Sequence, residues 1–160
     1  MYFLPKQIAF ILIIAACCLL TVSCNDSRVV QCTKLTEIVT KGNTLIEFKK
    51  DSYDVGTTKN LAKDLNQTSK QLESLRLTDT NLKEFQSQSI KSFRQMSQAL
   101  EDIGKALEAG NRASTSIEGR EQIRKAQADI VKAGQQANEA AANEDVVTQK
   151  LIKYCKSDRS

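Results

Sequence analysis

The single proline of this 160-residue chain is Pro5. Beyond it no residue locks φ or withholds a backbone N–H, so a helix can run to any length that its side chains support. Apolar residues recur at spacings of three and four, the signature of a helical face, and strand-like alternation is nowhere sustained. The first stripe is Cys32, Leu35, Ile38, Val39, Leu45 and Ile46. The second is Leu61, Leu65, Leu72 and Leu75, with Thr68 in the missing place. The third is Leu82, Phe85, Phe93, Met96, Leu100, Ile103 and Leu107, with Ser89 inside it. The fourth is Ile123, Ala126, Ile130, Ala133, Ala137, Ala140, Val147, Leu151 and Tyr154, broken once by Glu144. Alternation of this length is bundle or coiled-coil patterning.

Helix punctuation divides the stripes. Asp51 to Thr57 separates the first pair, and Thr78-Asp79-Thr80-Asn81 the second, where Asn81 and Glu84 have capping-box spacing. Gly110-Asn111 reads as a left-handed cap, and Thr115 with Glu118 as the next opening. The expected helices span 28–50, 57–76, 81–109 and 115–155. Short links make sequential helices antiparallel, so the expected fold is all-α, an up-down-up-down four-helix bundle with coiled-coil-like packing. The fourth helix, at ~60 Å, is far longer than the first, at ~33 Å. It must bend or break, at Gly119 or Gly134, or project with the third as a hairpin. Its Ala-rich inner stripe implies close helix approach and little room for a ligand.

The N-terminus reads as an address. One positive charge, Lys6, precedes an uninterrupted apolar run from Ile8 to Leu20, and small residues follow. That is the layout of a secretory signal peptide, and the run is short for a transmembrane helix, which needs ~20 apolar residues. Thr21-Val22-Ser23-Cys24 resembles a bacterial lipoprotein lipobox, with Thr21 where Leu is usual. The resemblance implies cleavage before Cys24 and acylation of its sulfur, which with two or three acyl chains gives stable anchoring. The domains expected are therefore a signal peptide, 1–23, and one helical bundle, 24–160. Secretory cleavage without a lipid and an uncleaved signal anchor are the alternatives.

Cysteine arithmetic bears on the same question. Cys17 and Cys18 leave with the apolar run, and Cys24, Cys32 and Cys155 remain. If Cys24 carries lipid, Cys32 and Cys155 are left to pair, as an oxidising compartment permits. The bundle topology independently puts them at the same end. Two free thiols acting as small hydrophobes are the alternative.

Little else points to chemistry. The chain has no His, which removes the Ser-His-Asp triad, the Cys-His pair and His-ligated zinc. A net charge of +4 is mild and argues for no nucleic-acid partner. Glu101-Asp102 and Glu144-Asp145 read as solvated surface charges, with Glu144, at a core position, reaching water from a frayed or kinked stretch; a buried carboxylate with a shifted pKa is the alternative. Lys150, Lys153, Lys156 and Arg159 crowd the C-terminus. They serve either the dipole of the last helix or an anionic membrane surface near Cys24. The expectation is a non-enzymatic exported protein of the cell envelope, lipid-anchored at Cys24, acting on an unidentified protein partner. No cofactor, metal, nucleic acid or small-molecule substrate is expected. A soluble secreted binder stapled by the bridge is the runner-up.

Overall fold

The computed structural model describes residues 27–49 and 54–157, with side chains described up to Glu47 in the first block. Among the described residues four helices follow one another: α1 (Arg28–Lys49), α2 (Val55–Ser74), α3 (Thr80–Asn111) and α4 (Ile117–Lys156). Neighbours run antiparallel. Lys59 of α2 pairs with Glu108 of α3 at 2.6 Å, while Gln86 of α3 reaches back to the Leu72 carbonyl at 2.5 Å. Asn43 of α1 donates to Thr148 of α4 at 3.1 Å. The described residues form an up-down-up-down four-helix bundle in which α1 contacts all the other helices, and α2 and α4 occupy a diagonal.

The caps explain where each helix starts. Ser27 Oγ accepts from Val30 N, and the carboxylates of Asp54 and Asp79 accept from Thr57 N and Leu82 N at 2.9 Å. Ser116 Oγ accepts from Gly119 N at 3.1 Å. Each satisfies an amide that has no partner within its helix. Two expected caps are thereby corrected. Asp79, not Asn81, opens α3, because the Asn81 amide is turned toward Tyr154 Oη at 3.1 Å. Ser116, not Thr115, opens α4. The left-handed cap at Gly110-Asn111 is absent too: α3 ends on Arg112 in right-handed geometry, and no described glycine has positive φ.

α3 and α4 form the spine. Along α4 the buried residues Gly119, Ala126, Ala133, Ala140 and Val147 fall every seventh position, joined by Glu144 and Leu151. A strict seven-residue period keeps one seam facing its neighbour, the coiled-coil condition. Small side chains on that seam let α3 come close: a Cβ on Gly110 would sit 3.7 Å from Ala126 Cβ. Of the remedies for the length mismatch, the third is realised. α4 runs unbroken through Gly119 and Gly134, and α3 and α4, ~48 and ~60 Å long, extend past the far end of α1.

α1 and α2 close the core from the other side. Leu35, Val39, Leu65, Leu72, Leu82, Phe93 and Leu151 are all fully buried. α1 crosses Phe93 at Gly42, where a Cβ would lie 2.5 Å from the ring. At the end of α1, where Ile46 closes one side, α2, α3 and α4 flank a groove of about 420 Å³ lined by Leu61, Leu65, Met96 and Ile130. The Ala-rich stripe therefore closes α3 onto α4 but leaves space opposite α2.

Candidate functional site

Two places concentrate polar side chains. The first is the end of the bundle where α1 starts, the α2–α3 link passes and α4 finishes. Gln31, 3% exposed, ties α1 to that link. Its Oε1 accepts from Thr78 N and Asp79 N at 2.7 and 3.2 Å, and its Nε2 donates to Thr78 Oγ1 at 2.8 Å. Asp79 in turn holds α4: its second carboxylate oxygen accepts from Tyr154 Oη at 2.9 Å. The Arg28 guanidinium lies 4.6 Å over the Tyr154 ring, and Phe85 meets the same ring tilted at 5.8 Å. Burial raises the Asp79 pKa, but the bonds from Leu82 N and Tyr154 Oη, with the charge of Arg28, outweigh it and hold the carboxyl below its ordinary value.

Beside this network Cys32 and Cys155 meet as expected, with sulfurs 2.09 Å apart and Cα atoms 5.8 Å apart. That spacing lies within the usual range for a disulfide. Lys153 and Lys156 occupy the last turn of α4, where they complement its dipole, and Lys150 stands a turn above; all three are exposed. The remaining residues expected to matter, Cys24 and Arg159, and the signal segment 1–23, lie outside the described residues.

The second place overturns an expectation. Glu144 does not reach water, and α4 is neither frayed nor broken there: the side chain is 1% exposed. Ser89 Oγ donates to its Oε1 at 2.8 Å, and Oε2 has no hydrogen-bond partner among the described residues. Burial pushes its pKa up to about 7. The Ser89 bond and the nearby hydroxyls of Ser92 and Thr148 oppose that rise, and the neighbouring charge of Asp145 adds to it. Asp145 itself is exposed, as read. The seam position explains the burial: Glu144 stands four residues after Ala140 and faces the small hydroxyl side chains of α3.

The two places differ in what they can do. The first is a structural knot with a basic rim, its polar groups committed to one another. The second can take up or release one proton inside the bundle. Among the described residues no three His, Cys, Asp or Glu side chains converge in a way that would hold a metal ion. None of the described helices is long and apolar enough to cross a membrane. Comparison with protein-family models, curated proteins and solved structures finds no match for this chain.

Proposed function

We propose that the chain is a non-enzymatic exported protein of the cell envelope, a helical bundle tethered by lipid at Cys24 that works by contacting another protein. The observation that carries the reading is the apolar run Ile8–Leu20 followed by Thr21-Val22-Ser23-Cys24, only four residues before α1. Pairing of Cys32 with Cys155 supports it, because such bridges persist in oxidising compartments. The polar groups of the Asp79 network are spent on caps and inter-helix bonds, a structural role. For protein contact the outward face of α4 offers Ile117, Val131 and Val146, exposed by 73%, 62% and 49%.

The test is non-reducing intact mass with N-terminal peptide mapping, on protein purified separately from native membrane and soluble fractions. The expected species begins at acylated Cys24 and lacks two hydrogens at the Cys32–Cys155 pair. An unacylated chain starting near Asn25 makes it a soluble secreted binder instead. A chain retaining residues 1–23 makes it a signal-anchored membrane protein.

A further inference from the structure

The fold gathers positive charge at one end from parts of the chain that are far apart in sequence. Arg28 and Lys34 come from the start of α1, Arg76 from the α2–α3 link, Lys83 from the first turn of α3, and Lys153 and Lys156 from the last turn of α4. Their closeness follows from the Cys32–Cys155 bridge, the Gln31 bonds to the link and the Tyr154–Asp79 bond. Described acids at this level are Asp79, whose carboxylate is already engaged by Leu82 N and Tyr154 Oη, Glu73, which pairs with Arg94, and the exposed Glu37 and Glu84, so the six bases still outnumber the acids. The tails add Asp26, Asp158 and Arg159. The opposite end has no such bias: between Glu101 and Lys132 there are six acidic and six basic residues.

The chain also leaves the fold at this end toward its apolar run. Cys24 precedes Arg28 by four residues, a reach of at most ~14 Å. A tether that short brings the basic end close to a bilayer surface, where charges interact over a Debye length of ~10 Å. We infer that the basic end of the bundle is a docking face for an anionic phospholipid surface, on which the bundle stands end-on with the α3–α4 hairpin pointing away. The docking deepens the membrane attachment proposed above and rests on it. Its chemistry is separate: headgroup phosphate against lysine and arginine, with no part for the acyl chain.

The experiment uses a chain starting at Asn25, which has neither the apolar run nor Cys24 but keeps all four helices, their caps and the bridge. Circular dichroism and intact mass establish its fold first. Sedimentation is then measured with phosphatidylcholine vesicles and with vesicles carrying about a third phosphatidylglycerol. Binding is expected only to the anionic vesicles, falling steeply between 50 and 500 mM salt, roughly as in polyelectrolyte contacts. Each basic residue near such a surface is worth ~1 kcal/mol, so Arg76→Gln/Lys83→Gln/Lys153→Gln weakens binding on the order of a hundredfold. These exposed neutral replacements put no acid at the end of α4. The control, Arg120→Gln/Lys125→Gln/Lys132→Gln at the far end, leaves binding unchanged. Equal binding to both vesicle types, no binding at low salt, or an equal loss in the far-end variant overturns the docking face. Acylation is read separately by the mass of the native protein. A native chain acylated at Cys24 with no anionic preference in vesicles sinks the docking and leaves the anchor standing. An unacylated native chain whose Asn25 form still selects anionic vesicles does the reverse.

Discussion

Glu144 is the residue whose behaviour departs furthest from its type. A carboxyl buried against Ser89 with one oxygen unpartnered favours its protonated form, which is why its pKa rises to about 7. In the unfolded chain the same group titrates near 4.5. Between those values the folded state holds more proton than the unfolded state, so this group makes stability fall as pH rises. Its contribution is full below pH 4.5, declines toward pH 7 and levels off above it, a loss of at most about 3 kcal/mol. Urea melts at pH 5, 6, 7 and 8 are expected to show that decline. Glu144→Gln, which cannot ionise, should remove most of it, and an unchanged pH profile in that variant would assign the effect to other groups. In sequence the one signal is the place of Glu144 in the apolar stripe of α4, which allows burial but names no partner. Its partner hydroxyl is 55 residues away, and only the facing of two seams brings them together.

At the level of helices, contact is limited by how small the facing residues are. Gly42 is the clearest case, since an added Cβ would come within 2.5 Å of Phe93 Cζ and 3.0 Å of Thr68 Cγ2. Phe93 is fully buried and has little room to turn. Gly42→Ala is therefore expected to destabilise by ~1–3 kcal/mol, as overpacking usually does, despite the better helix propensity of alanine. Thermal unfolding of the variant checks the sign. The helices themselves were readable from the three-four stripes of Leu61–Leu72 and Ala126–Leu151, because one period governs both the pattern and the burial. Their exact first residues were less so. Thr78, Asp79, Thr80 and Asn81 are all competent caps, and the choice of Asp79 is made by Gln31 holding its N–H and Tyr154 claiming Asn81. The basic rim was half visible: Lys150, Lys153 and Lys156 cluster in sequence, whereas Arg76 and Lys83 join only through the fold.

For the molecule as a whole, the bridge closes a loop across 123 positions of sequence. In the chain-entropy account, cross-linking at that separation removes ~4–5 kcal/mol of freedom from the unfolded state. Cys32→Ser/Cys155→Ser is expected to lower stability by up to that amount while leaving helix content intact below its lower Tm. Paired denaturant melts of the two forms measure it. A difference under about 1 kcal/mol would mean that the reduced chain keeps its ends together by other contacts, with the Gln31 and Tyr154 bonds the first to examine.

Because the bridge joins the start of α1 to the end of α4, both chain tails emerge beside the same covalent link. A force pulling the two tails apart travels through Ser27 to Cys32, across the sulfurs and out from Cys155. Apart from those few terminal residues, the four helices carry none of that load. The bundle hangs from the link like a closed ring from a clasp, and a cut in either the α2–α3 or the α3–α4 turn would leave the pieces on one covalent chain.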